Sequence, residues 1–183
     1  MPLLKPFVEV VMKMVKLTQG YMALVDDEDF EKVMQHKWHV AKGRDTMYAV
    51  HSVPGGKWLL HRWLKGITDT NTKVDHEDHC GLNNQKSNLR IATESQNQAN
   101  SMLPSTNSSG IKGVYKYKSH NWKSCKKWKA QIRFQGKNKA LGYFDTKEEA
   151  QTVYDKVARE LFGEFALTNA MMTQKEKSQA CQT

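Results

Sequence analysis

Covalent staples and membrane signals are scarce in this chain. It has three cysteines in 183 residues, Cys80, Cys125 and Cys181. They are far apart and form no C-x-x-C pair, which excludes a disulfide framework and a cysteine-based structural zinc site. They read as reduced thiols. No apolar run approaches the roughly 18 residues that a membrane-spanning helix needs, so no membrane partner is expected. The opening MPLLKPFVEVVMKMVKL is broken by Pro6, Glu9, Lys13 and Lys16 and lacks a clean apolar core and a small-residue cleavage site. That points to an intracellular protein. Acidic residues are also few, 19 against 28 Lys and Arg, for a formal net charge of +9. Between positions 111 and 144 there is none. Such a balance favours a polyanion as partner rather than a small-molecule substrate. A chain of this length holds one ordinary domain or two or three small ones.

Chemistry concentrates in residues 74–101, VDHEDHCGLNNQKSNLRIATESQNQANS. Lys73 and Val74 open a short β-like run that ends in Asp75-His76. A polar turn with Gly81, Asn83 and Asn84 follows, then a second β-like run over residues 89–92. Thr93 with Gln96 three residues later reads as a capping box, each side chain satisfying a free backbone N–H of the other. Asn97 therefore falls in the first turn of a helix. Strand, loop, strand, helix brings a carboxylate, an imidazole and a carboxamide together.

That trio suits metal-assisted phosphodiester hydrolysis. A hard cation such as Mg²⁺, or Mn²⁺ in its place, takes oxygen ligands, so Asp75 and Asn97 can hold it with room left for phosphate oxygens. A neutral His76 can take a proton from the attacking water. The stretch resembles the HNH endonucleases of the ββα-metal (His-Me finger) class, above all the phage and intron-encoded homing type. The residues that carry the resemblance are Asp75-His76, Asn88-Leu89-Arg90 and Asn97. It implies that Asp75 and Asn97 are metal ligands, that His76 is the general base, and that Asn88 holds the loop and orients that base. Arg90 is expected to contact DNA. The departure is His79-Cys80, where the family has a small residue such as Gly.

Ahead of the motif, residues 1–16 read as a strand or a disordered start. Asp26 or Asp27 can cap a short helix running to about Gln35, with Phe30, Val33 and Met34 facing inward. Residues 38–40, 47–53 and 57–60 alternate like strands, with turns at 43–45 and 54–56. The region resembles the leader found before phage HNH motifs, ending in Leu60-His61-Arg62. Arg62 offers a planar fork for a phosphate. His61 reads either as a phosphate contact or as a structural histidine packed behind the metal site.

Pro104, the serines around it, Asn107 and Gly110 make residues 101–110 a flexible linker, with Pro104 ending the preceding helix. Beyond it, positions 111–144 carry ten Lys or Arg. Strands are expected over 113–118, 127–134 and 139–144, with a turn at 135–138. In the second strand Trp128, Ala130 and Ile132 share one face, and Lys127, Lys129, Gln131 and Arg133 the other. Asp145-Thr146 opens a helix with Glu149 completing a capping box. Ala150, Val153, Tyr154, Val157, Ala158, Leu161 and Phe162 form its apolar stripe, and Gly163 ends it. Gly113-Val114-Tyr115, the 128–132 strand, residues 141–146 and residues 162–166 before Asn169 resemble the ethylene-response-factor (APETALA-type) DNA-binding domain. By that resemblance Lys116, Lys118, Lys127, Lys129, Gln131, Arg133 and Tyr143 face DNA, with Lys137 and Lys139 beside them. Lys in place of Arg favours phosphate contacts over base reading.

The expectation is an α+β chain. Residues 1–100 form the HNH nuclease domain, with its ββα-metal motif at about 73–103, 101–110 a linker, 111–169 a three-stranded antiparallel sheet on one helix, and 170–183 a frayed tail. The expected function is a Mg²⁺-dependent endonuclease acting on double-stranded DNA as a monomer, in the cytoplasm of a bacterial host if phage-encoded. It would leave a 5′-phosphate and a 3′-hydroxyl. The alternative is a DNA-binding regulator with a non-catalytic HNH unit, and charge alone also allows an RNA partner.

Overall fold

In the computed structural model the described residues are 12–43, 46–103, 106–118 and 127–172. Arg44 and Asp45 of the first expected turn, Pro104 of the linker, Trp122, Lys123, Cys125 and Lys126, and residues 1–11 and 173–183 with Cys181 lie outside them. The architecture is α+β, with four small antiparallel sheets and four helices among the described residues. None of those helices is long and apolar enough to cross a membrane. The chain divides into two compact units between Ile91 and Ala92.

The first unit begins with a hairpin of β1 (Met12–Lys16) and β2 (Met22–Asp26), followed by α1 (Asp27–Met34). A meander of β3 (His39–Lys42), β4 (Met47–Val53) and β5 (Gly56–Leu59) comes next, then a short α2 (Leu60–Leu64). Alternation explains the core: Val15, Ala23 and Val25 point inward from the hairpin and pack with Val33, Trp38, Val40, Ala49 and Leu60. The Trp38 indole is satisfied inside by the Val33 carbonyl at 2.9 Å. Asp26 stands at the N-cap of α1, as expected, but its side chain makes no cap bond. Its carboxylate accepts instead from the Lys86 N–H (2.7 Å) and the Gln85 side chain (3.3 Å). Beyond this core, β6 (Lys73–His76) pairs with β7 (Leu89–Ala92).

The second unit contains α3 (Glu94–Asn100), β8 (Val114–Lys116), β9 (Trp128–Phe134), β10 (Lys137–Phe144) and α4 (Lys147–Phe162). Thr93 and Gln96 form the reciprocal capping box. Thr146 caps α4 through the Glu149 N–H alone, so that box is half made. The sheet runs β10-β9-β8. α4 lays Ala150, Tyr154, Ala158 and Phe162 against Ala130, Ile132 and Val114, burying one sheet face. Ala92 and Ala99 join this core beside Phe162 and Phe165, so α3 packs with the second unit. Residues 106–110, expected as flexible linker, are tied down. Asn107 Oδ1 accepts from the Ser109 and Gly110 N–H groups (2.9 Å each), and Ser109 Oγ donates to the Val114 carbonyl at 2.6 Å.

Candidate active site and cationic sheet

Asp75 and His76 end β6, and both are buried, 6% and 7% exposed. The Asp75 carboxylate is gripped by Arg90 of the neighbouring strand, Nη2 to Oδ2 at 2.6 Å. Arg90 also leans toward Glu77 at 3.8 Å. The guanidinium expected at DNA is thus turned onto the carboxylate expected to bind metal. Burial pushes the His76 imidazole below its usual range, while the Asp78 carboxylate, the Asn84 side chain and the Asp75 carboxylate act in the opposite sense. The net direction leaves a neutral ring at neutral pH, the form a general base requires.

Behind His76 stands His61, buried on α2, with ring centroids 4.8 Å apart and planes at 76°. Desolvation first, then the neighbouring His76 and Arg62, lower the His61 pKa to about 3. The Tyr48 ring completes the group, 5.5 Å from His61 and 6.0 Å from His76. It is seated between two glycines. A Cβ on Gly43 would come within 2.4 Å of the ring, and one on Gly81 within 2.7 Å. Arg62 is turned elsewhere. Its fork donates to the Thr72 carbonyl at 2.6 Å and to the Asp69 carbonyl, organising the loop that leads into β6.

The loop between β6 and β7 is knotted around Asp78 and Asn88. Asp78 accepts from the Cys80 N–H (2.8 Å) and from the side chains of Asn88 (2.9 Å) and Asn83 (2.8 Å). Asn88 accepts in return from the Asp78 N–H at 3.0 Å and donates to the Asn83 carbonyl at 2.8 Å. Asn88 therefore holds the loop, and Asn84, 1% exposed, is buried in the same loop, its side chain acting to raise the His76 pKa against burial. Asn84 is fixed by the Leu24 carbonyl, which accepts its N–H at 2.8 Å, and by its own amide on the Leu82 carbonyl at 3.0 Å. His79 has φ +68°, the left-handed region where a residue without Cβ is at ease, which explains why a small residue suits that position. Cys80, half-buried in the same loop, is not in a disulfide.

Asn97 lies on α3, half-buried, in the second unit. Among the described residues no group of three or more His, Cys, Asp or Glu side chains is placed to hold a metal. An Asp-Asn pair is not such a group. Tyr48, Asp78 and Asn84 were not singled out from the sequence as site residues. Asn84 and Asp78 had a signal, as Asx residues flanking a glycine turn.

In the second unit the register sorts the cationic residues. Tyr115, Lys129 and Tyr143 stand directly opposite one another across three strands. Gln131 and Arg133 continue that face, with Arg133 opposite Asn138. Lys116, Lys137 and Lys139 pair instead with Trp128, Phe134 and Ile132, the residues of the other face, although all three lysines are exposed at its margins. A bulge between Ala140 and Gly142 shifts the register and returns Tyr143 to the outer face. Lys118 and Lys127 are exposed beside the sheet, and the Tyr117 and Tyr143 rings pack at 4.4 Å.

The chain is 35% identical over 157 residues to a protein of Acanthamoeba polyphaga mimivirus named as an uncharacterized HNH endonuclease, covering 82% of this chain and 76% of that protein. It is 33% identical over 94 residues to Protein 3.8 of Escherichia phage T7, covering 51% of this chain and 72% of that protein. No family model matches the chain. No solved structure matches it either.

Proposed function

This chain belongs to the HNH endonuclease family, and on that premise we propose that it is a divalent-metal-dependent endonuclease of the homing type that hydrolyses phosphodiester bonds in duplex DNA. The observation that carries the reading is the buried Asp75-His76 pair, its carboxylate fixed by Arg90 and its imidazole kept neutral by burial.

His76 accepts a proton from a water molecule as the water oxygen bonds to phosphorus. The bond from phosphorus to the 3′-oxygen breaks, that oxygen takes a proton from solvent, and the products are a 5′-phosphate and a 3′-hydroxyl. His76 then returns its proton to solvent, which its lowered pKa favours. Asn84 and the Asp78-Asn88 loop orient the ring. His61 supports it from behind as a neutral packing partner. The donor types fit a hard cation: a carboxylate oxygen of Asp75 and a carboxamide oxygen of Asn97 suit Mg²⁺ or Mn²⁺. Such an ion, when bound, supplies positive charge to the phosphate and the leaving oxygen.

The outer face of the second unit, Tyr115, Lys127, Lys129, Gln131, Arg133 and Tyr143, holds the duplex in the manner of the ethylene-response-factor domain. Lys116, Lys118, Lys137 and Lys139 contact phosphates at its margins. Tethering the two units raises the nuclease's local concentration at the bound site.

The test is conversion of supercoiled plasmid by wild type and His76→Ala, with Mg²⁺ and with EDTA. Metal-dependent nicking or linearisation that His76→Ala abolishes while DNA binding persists supports the reading. Tight, salt-sensitive binding with no cleavage under any divalent metal leaves a DNA-binding regulator instead. Preference for RNA over B-form duplex in competition would overturn the substrate assignment.

A further inference from the structure

Helix α3 ends on a buried lysine. Lys112 is 8% exposed, and its Nζ donates to the carbonyls of Ala99 at 2.5 Å and Ser101 at 2.6 Å, in the last turn of α3 and at its C-cap. The last carbonyls of a helix have no intrahelical N–H to accept from, and they carry the negative end of the helix dipole. An ammonium there answers both needs. The Leu167 N–H adds a third contact to the same end, on Ala99 O at 3.3 Å.

Lys112 is itself held from the far side of the unit. Its N–H donates to Asn169 Oδ1 at 2.6 Å, and its carbonyl accepts from Asn169 Nδ2 at 3.4 Å. Asn169 is pinned in turn by Asp155 of α4, whose Oδ1 accepts from the Asn169 N–H (3.0 Å) and from Nδ2 (2.7 Å). Asp155 and Asn169 are 6% and 5% exposed. A buried polar chain therefore runs from α4 through Asn169 and Lys112 to the end of α3. Burial lowers the Lys112 pKa to about 8, with the Asp155 carboxylate opposing the shift. Among the described basic residues between positions 111 and 144, Lys112 alone is buried, so it takes no part in the cationic face.

We propose that Lys112 is a positioning residue for the cleavage reaction: by capping α3 it fixes the helix that carries Asn97. The inference rests on the reading of Asn97 given under Proposed function. A purely structural lysine would lower fold stability, DNA affinity and cleavage together. A positioning lysine loosens α3 and lowers cleavage while leaving the rest of the unit and DNA affinity in place.

The experiment compares full-length wild type, Lys112→Met and Lys112→Arg in three measurements. Hydrogen exchange of residues 94–101 and of β9 is followed in metal-free, DNA-free protein. Duplex affinity is measured in EDTA, and single-turnover cleavage of bound duplex with Mg²⁺. The expected result for Lys112→Met is exchange in α3 and cleavage changed by about 10- to 100-fold, in line with the loss of two charged hydrogen bonds. β9 exchange and duplex affinity stay within about twofold, and Lys112→Arg recovers part of the rate because its fork can also donate to two carbonyls. Unchanged α3 exchange or an unchanged rate in Lys112→Met overturns the inference, as does a parallel loss of β9 protection and affinity. Wild type that cuts no duplex with Mg²⁺ or Mn²⁺ overturns the nuclease reading itself and takes the positioning role with it. Failure confined to the variant comparison overturns the inference alone.

Discussion

The rings of His61 and His76 meet edge to face, 4.8 Å between centroids, and both side chains are buried. Neither can take up a proton there without losing hydration that nothing in the pair replaces. The chemistry of the site and its tolerance of acid therefore both rest on burial, the largest cause of the lowered pKa of each ring.

Acid should unfold the first unit through His61. Its folded pKa of about 3 lies below the ordinary 6.5, so below pH 6.5 the unfolded chain binds the proton that the folded chain refuses. The stability contribution is complete above pH 6.5 and is lost as pH falls toward 3. At about 1.4 kcal/mol per pH unit, roughly 2–3 kcal/mol disappears by pH 4.5. Urea unfolding at pH 7.5 and 4.5 checks this. His61→Phe should show a shallower loss than wild type, and equal losses in the two proteins would sink the account.

Arg90 and Asp75 are a half-hidden ion pair whose two members are not equally expendable. Their side chains are 12% and 7% exposed. Arg90→Ala takes the guanidinium away from a buried carboxylate and should cost about 3–5 kcal/mol. Replacing both partners with uncharged groups, Asp75→Asn with Arg90→Met, removes that buried charge, so the double variant should unfold at a higher urea concentration than Arg90→Ala alone. A loss below about 1 kcal/mol in Arg90→Ala would place the pair with ordinary surface bridges.

Several local signals read correctly where the partners were near in sequence. The Thr93-Gln96 box spans three residues, the stripe of α4 repeats every three or four, and the two faces of β9 alternate residue by residue. What stayed hidden depends on distant partners or on irregularity. Asp26 looks like a cap because its neighbourhood is helical, yet its side chain is engaged 59 and 60 residues away. Lys112 reads as one more surface cation, and only Asn169, 57 positions on, and the end of α3 bury it. The bulge at Ala140/Gly142 breaks the two-residue period that would place Lys137 and Lys139 with Tyr143. Five residues of α2 are too few for any helical repeat to show. Within the site, Asp75 and His76 were visible as a strand-terminal pair. Asn84 was not separable from Asn88, because only the fold buries one residue with its N–H on the Leu24 carbonyl and ties the carboxamide of the other to Asp78.

Gly81 offers the sharpest separation of crowding from backbone strain. It lies outside the left-handed region, since its φ is not among the positive values, so any penalty for a methyl group there is spatial. That Cβ would stand 2.4 Å from the Met47 carbonyl oxygen and 2.7 Å from two atoms of the Tyr48 ring. A ring can tilt, but a carbonyl within β4 can move only with its strand. Gly81→Ala should therefore lose about 1–3 kcal/mol, in the range of other overpacked sites, and shift the loop that carries Asp78 and Asn84 away from His76. Combining it with Tyr48→Ala removes the ring clash and keeps the carbonyl clash. The double variant should then show no net recovery in urea. Restoration to the level of Tyr48→Ala alone would mean that the ring is the whole obstacle and that the backbone of β4 yields freely. Persistent destabilisation would mean that β4 itself sets how closely the loop can approach, and with it the placement of His76.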